Sequence, residues 1–129
     1  MLNVNFKIDD AMIAKLKGRV QQYCVEFIQD VNEQVVEATP VKTGFLRNSW
    51  YAGLNEEPTG PGGSGGVATL TAVASDLKLG DIYYAVNGAS YAVFVEYGTS
   101  KMRPRAFVRG VIDRADAIAA AAAERVAST

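Results

Sequence analysis

The chain has 129 residues, 49% of them apolar and 21% charged, and a formal net charge of −1. That is the make-up of one ordinary globular domain, and it excludes both a basic field that would draw the chain to nucleic acid and an acidic tail. Histidine is absent, which removes the usual general base near neutral pH, the Ser-His and Cys-His nucleophile pairs and the commonest zinc ligand.

Cys24 is the single cysteine, so no intramolecular disulfide forms, as suits a reducing compartment. No apolar run approaches the roughly 20 residues of a membrane span. The N-terminus lacks the basic-then-apolar layout of a signal peptide. The expectation is a protein made and used in cytoplasm, or in a particle assembled there, with no membrane partner.

Residues 9–38 read as one long helix. Ile13, Leu16, Val20, Tyr23, Phe27, Val31 and Val35 recur at steps of three and four, which makes an apolar stripe. Asp9 or Asp10 caps its start, Gly18 weakens it, and Pro40 ends it. Cys24 lies beside the stripe and reads as a small buried apolar residue. Thr39 to Trp50, "TPVKTGFLRNSW", reads as a turn at Gly44 running into a strand, with Phe45, Arg47 and Ser49 on one side and Leu46, Asn48 and Trp50 on the other.

Asn55 to Gly66, "NEEPTGPGGSGG", has nothing with which to build a core and reads as a mobile hairpin arm. It lacks the Gly-Lys-Ser/Thr ending of a phosphate loop, and it joins two strand-like runs rather than a strand to a helix. The returning run is Val67 to Ala74, "VATLTAVA", with Val67, Thr69, Thr71 and Val73 on one face. Ser75 to Gly80 reads as a turn or a single helical turn. Asp81 to Asn87 reads as a third strand ending at the turn signal Asn87-Gly88.

Tyr91 to Tyr97 suits a strand by composition. Equally, Tyr91, Phe94 and Val95 share a helical face that Gly98 would end. From Pro104 to Ala127 the pattern is helical, with Phe107, Val111, Ala115, Ile118, Ala122 and Val126 as a narrow face, and the alanine run at Ala117 to Ala123 allows close backbone approach. The sum is an α+β fold in a single domain, 1–129. A small antiparallel sheet of three to four strands is packed by the long N-terminal helix and a C-terminal helix, and the Gly-rich hairpin arm covers 55–66.

Glu96 is the one acid in an apolar, aromatic segment. A catalytic acid of raised pKa has this setting, but no second acid or histidine stands near it in sequence. An ion pair with Arg103, Arg105 or Arg47, or backbone hydrogen bonds, is the structural alternative, because an unpaired buried charge is costly. Lys101, Arg103, Arg105 and Arg109 form a small basic cluster suited to phosphate, though without aromatic interleaving or net positive charge. Tyr83, Tyr84 and Tyr97 read as core or interface bodies with wet hydroxyls.

Three stretches together resemble a known family. "ATPVKTGFLRNSW" is similar to its Pro-x-x-Thr-Gly-x-Leu-Arg-Asn-Ser signature, and "YYAVNGASYAVFVEYGTSKMRPRAFVRGVI" to its strand-turn-Glu-aromatic-Gly-Thr and Arg-Pro blocks. The long first helix and the closing helix stand in the family's places. The family is that of the small head–tail joining proteins of long-tailed bacteriophages, also labelled neck, tail-completion or tail-component proteins. Arg105-Ala106-Phe107 departs from its usual Pro-Phe pairing.

The resemblance implies a structural virion protein at the head–tail junction, assembled in the host cytoplasm. It would form a homo-oligomeric ring, six-fold, whose bore passes the genome. Its partners would be further copies of itself, head-completion and connector proteins, and tail terminator or tail tube proteins. Contact with DNA in the bore would be non-specific, and neither catalysis nor a cofactor is implied.

The matching residues would be structural or interface positions: Pro40, Thr43, Gly44, Arg47, Trp50, Tyr91, Glu96, Tyr97, Gly98, Thr99, Arg103, Pro104, Arg105 and Phe107. Glu56 and Glu57 would serve as an interface arm. A tail terminator capping the tube is the nearest alternative. A nucleic-acid-binding module on the basic cluster and a hydrolase built on Glu96 are more remote.

Overall fold

The computed structural model describes residues 2–5, 7, 9–41, 44–58 and 66–128. Helix α1 spans Asp10–Ala38. Asp9 starts it as an N-cap, its carboxylate accepting the Met12 N–H at 2.9 Å, which satisfies one of the donors left over at a helix start. The second half of the apolar stripe is core: Val35 is buried, and Phe27, Val31 and Val36 pack against it. The first half is not, because Met12, Ile13, Leu16 and Val20 all face solvent. Cys24, expected to be buried, is only partly so.

Beyond α1 the chain makes a turn and a short 3₁₀ helix, Arg47–Ser49, before strand β1, Trp50–Leu54. The strand expected from Phe45 onward is therefore confined to its end. Asn48 N–H bonds to Gly44 O at 2.9 Å, Ser49 N–H to Leu46 O at 3.2 Å and the Ser49 hydroxyl to Phe45 O at 2.6 Å. Local hydrogen bonds of this kind outbid a ladder for the same backbone groups.

Val67 to Ala74 is a second departure, since Ala68–Ser75 is helix α2. Leu70 and Ala74, one helical turn apart, are both buried, and the Thr69 hydroxyl donates to Gly66 O at 2.7 Å while accepting the Ala52 N–H at 3.0 Å. The segment after β1 thus joins a strand to a helix and is not a hairpin. One argument against a phosphate loop falls with that, and the missing Gly-Lys-Ser/Thr remains. Residues 59–65 of the expected arm lie outside the described residues. Both flanks are fixed: a Cβ on Gly53 would strike Glu56 O and Pro58, and one on Gly66 would strike the Tyr51 ring and Trp50 O.

Strand β2, Tyr83–Asn87, pairs antiparallel with β1, setting Trp50 opposite Asn87 and Leu54 opposite Tyr83. Among the described residues this is a two-stranded sheet, not one of three to four strands. Asn55 and Asp81 tie its open end: Ile82 N–H and Asp81 Oδ1 bond to the Asn55 side chain at 2.9 and 3.1 Å.

The chain then forms helices α3 (Ala92–Tyr97), α4 (Arg109–Ile112) and α5 (Ala115–Ala127). The region from Pro104 to Val108, expected to be helical, is not. The narrow face is as expected: Phe107, Val111, Ile118, Ala122 and Val126 are buried, and the small alanines let α5 lie close against α1. Trp50 and Phe107 meet edge to face at 6.2 Å in the centre of the core.

Candidate assembly site

The residues between Tyr91 and Arg109 build one compact corner. Helix α3 stops at Gly98, whose φ of 80° favours glycine. Its N–H closes on Phe94 O at 2.7 Å. A Cβ there would lie 2.7 Å from Pro104 N and 2.8 Å from Met102 O, so only glycine lets the returning chain pass this close. Thr99 and Met102 form a bridge across that return. Arg105 N–H then bonds to Val95 O at 2.9 Å and Ala106 N–H to Glu96 O at 3.1 Å. These bonds hold residues 105 and 106 out of helical register, with Ala106 at a φ of 45°.

Glu96 is buried beneath this return. Its carboxylate accepts the backbone N–H groups of Val108 and Arg109, each at 2.9 Å, and the Arg109 Nε–H at 3.0 Å. Arg109 Nη2 donates to Glu96 O at 2.7 Å, and the guanidinium lies 4.4 Å from the centre of the Tyr97 ring. The backbone hydrogen bonds expected of Glu96 are present, and its ion-pair partner is Arg109 rather than Arg103, Arg105 or Arg47. Burial pushes the Glu96 carboxyl up. The Val108 and Arg109 N–H groups and the guanidinium outweigh it and hold the carboxyl below the usual range. An acid kept ionised, with donors on both oxygens, has the opposite tuning to a general acid.

The corner after α1 is held by hydrogen bonds to backbone carbonyls and a hydroxyl and by one arginine, with no carboxylate among these partners. Thr39, almost wholly buried, donates its hydroxyl to Val35 O at 2.6 Å and accepts the Trp50 Nε1–H at 3.0 Å. Arg47 Nη2 donates to the carbonyls of Glu37 and Thr39 at 2.9 and 3.1 Å. The last turn of α1 has no basic residue of its own, so Arg47 brings the cation that the helix C-terminus favours. Gly44, at φ 81°, makes the turn. Thr43 lies outside the described residues.

The two corners meet. Pro40 and Leu46 from the first, with Tyr91, Phe94, Val95, Met102 and Arg105 from the second, line an apolar cleft of about 500 Å³. Phe45 and Tyr91 stack at its rim, their rings 5.9 Å apart. Around it Phe94 and Tyr97 stay 56% and 59% exposed. Of the residues expected to act together, Pro40, Tyr91 and Arg105 line the cleft, and Trp50 and Phe107 lie in the core. Glu96, Gly98 and Pro104 set the corner.

Thr99 and Arg103 are exposed on the outer loop with Lys101, and Glu56 and Glu57 are exposed at the start of the segment after β1. The basic cluster is not a set of four, since Arg109 is turned onto Glu96. Thr39, Phe45 and Met102 were missed. Thr39 carried a signal in its place just before Pro40, where a helix must end and a side chain is well placed to cap it. Among the described residues no group of acids and cysteine is arranged to hold a metal ion.

Comparison with curated proteins and with solved structures gives no match. A family model does match, over residues 7–98, and its description reads "Bacteriophage HK97-gp10, putative tail-component". That span takes in α1, both strands and the α3–Gly98 stop, so the chain belongs to the HK97-gp10-like family of bacteriophage tail-component proteins.

Proposed function

We propose that this chain is the subunit of a six-fold ring at the head–tail junction of a long-tailed phage, joining the capsid connector to the tail tube around a bore that passes the genome. The observation that carries this is the placement of exposed apolar surface. It gathers at the cleft between the two corners and along the first half of α1, where Leu16 is 64% exposed. Clustered apolar surface of this kind marks a place where another protein binds. The corners beneath the cleft are held by hydrogen bonds within the chain, which suits a docking surface.

In this reading Pro40, Tyr91, Phe94, Tyr97 and Arg105 face a neighbouring subunit, and Thr99 and Arg103 lie on the rim. Glu56 and Glu57 meet basic groups of a neighbour or of the adjoining connector or tail proteins. With a net charge of −1, passing DNA is not held by the bulk field of the subunit. No catalytic step is assigned.

A cryo-EM map of the intact neck tests the proposal. The expected result is a closed ring of six copies between connector and tube, with the cleft of each subunit covered. Copies placed at the distal end of the tube, or absence of the chain from purified particles, would overturn it. A ring seated on the last tube ring without connector contact would reassign the chain as a tail terminator.

A further inference from the structure

Among the described residues the sheet ends in an unpaired edge at β2. Gly88 N–H bonds to Ser49 O and Asn55 N–H to Ile82 O, which with the register turns the backbone groups of Tyr84 and Val86 toward β1. Those of Tyr83, Ala85 and Asn87 then point outward. Among the described elements β2 packs extensively on β1 alone, Ala85 is exposed, and no described backbone group takes up the outward donors and acceptors. Two strands alone are marginal, and a free edge is a template for a third.

The sequence contains a strand to match. Residues 2–9 read Leu-Asn-Val-Asn-Phe-Lys-Ile-Asp, apolar and polar in strict alternation, which is the period of a half-buried strand. Leu2 and Val4 are 88% and 67% exposed. Extended back from Asp10, this segment is too short to run along its own β2 edge. Asn32 bonds to the Tyr83 hydroxyl at the first residue of β2. Trp50, opposite the last residue, bonds to Thr39 at the end of α1, so β2 runs away from the start of the helix. Asp10 lies about 33 Å back along the axis from Asn32. Leu2, fully extended from Asp10, reaches at most about 29 Å.

We propose that residues 2–8 of one copy add as a third strand to the free β2 edge of a second copy. The inference rests on the self-assembling reading above and supplies its geometry. Donor segment and acceptor edge are different surfaces, so the contact is head-to-tail, the kind that closes into a ring when its rotation allows. It also carries the bare apolar stripe of the first half of α1 across to the neighbour. Backbone pairing supplies affinity, and the alternation fixes which face of the added strand turns inward.

The test uses the full chain with Cys24→Ser, carrying Val4→Cys or Leu2→Cys in one preparation and Ala85→Cys in another. The preparations are mixed and mildly oxidised, both as pure protein and in assembled particles. Covalent dimers joining one copy of each kind are expected. In parallel, a chain lacking residues 2–8 should keep its circular dichroism yet associate roughly a hundredfold more weakly, from the loss of several backbone hydrogen bonds.

If wild type associates and the truncated chain associates equally well without mixed cross-links, strand addition is wrong and the ring reading stands. Cross-linking of Ala85→Cys to a different virion protein also overturns it. A wild type that associates neither alone nor in particles removes both readings.

Discussion

The corner at Glu96 and the first half of α1 are opposites. At the corner the Glu96 carboxylate finds its donors within one copy, and the buried charge is tolerated because both of its oxygens are occupied. On the helix, Ile13, Leu16 and Val20 belong to the same regular stripe as Val31 and Val35, yet all three face solvent. The difference separates what stabilises the isolated chain from what, in the proposed assembly, it offers to others. An amphipathic pattern states that a face will be buried, and leaves open by which chain.

The contrast is broken most forcefully by Glu96→Ala. Two backbone donors and a guanidinium lose their acceptor, and the isolated chain should lose about 3 kcal/mol or more, read as a lowered melting temperature. Glu96→Gln should cost nearly as much, since its amide turns a donor toward donors. A Gln variant that melts like wild type would show that the ionised carboxylate is dispensable. Next is Gly98→Ala, about 2 kcal/mol, because the new methyl meets backbone and the φ is positive.

Acid sharpens the same side of the contrast. The folded-state pKa of Glu96 is depressed, so its contribution is fully present above the ordinary carboxylate value of about 4.3 and is lost as pH falls through the lower folded value. The gap in melting temperature between wild type and Glu96→Gln should therefore be constant near neutrality and narrow below about pH 4. A gap that does not change with pH would separate the carboxylate from the stability of the corner.

On the other side, Leu16→Ser should change the stability of the isolated chain by no more than about 0.5 kcal/mol while reducing incorporation into particles. A large loss of stability in isolation would mean that the first half of α1 is core after all. The smallest effect has the opposite sign. A Cβ on Gly18 meets nothing within 4 Å, so Gly18→Ala should stabilise the helix by up to about 1 kcal/mol, seen as increased helicity and a slightly higher melting temperature.

The elements on either side of this contrast were legible in the sequence, but the exposure of the first half of α1 was not. The bounds of α1 and the buried face of α5 follow from periodicity and from Pro40, whereas Gly98 marked a helix stop on only one of two equal readings of Tyr91 to Tyr97. What escaped was set by tertiary partners. Val67 to Ala74 alternates β-branched residues and looks like a strand, but Leu70 and Ala74 share a helical face that the core takes up, and packing overrides propensity.

Phe45 to Ser49 looked extended because its hydrogen bonds to Gly44, Leu46 and Phe45 are invisible in composition. Glu96 was recognised as an acid needing a partner. The partner was misassigned because Arg105 and Ala106 bond back to α3, which delays the helix start and brings Arg109 into reach. The family match confirms the resemblance read from the two motif blocks. It does not distinguish Thr39 and Trp50, whose mutual hydrogen bond only the fold reveals.

The two glycines flanking the segment after β1 have a practical consequence. Gly53 receives Pro58 and Gly66 receives Tyr51 and Trp50, so the chain leaves and rejoins the same short strand at points fixed by close backbone contact. Lengthening a connection between fixed ends is inexpensive, about 0.6 kcal/mol for each doubling of its length. An epitope or tag inserted between Pro58 and Gly66 should therefore cost the isolated fold little, so that any loss of assembly it causes would report the contacts proposed for Glu56 and Glu57 rather than a broken fold.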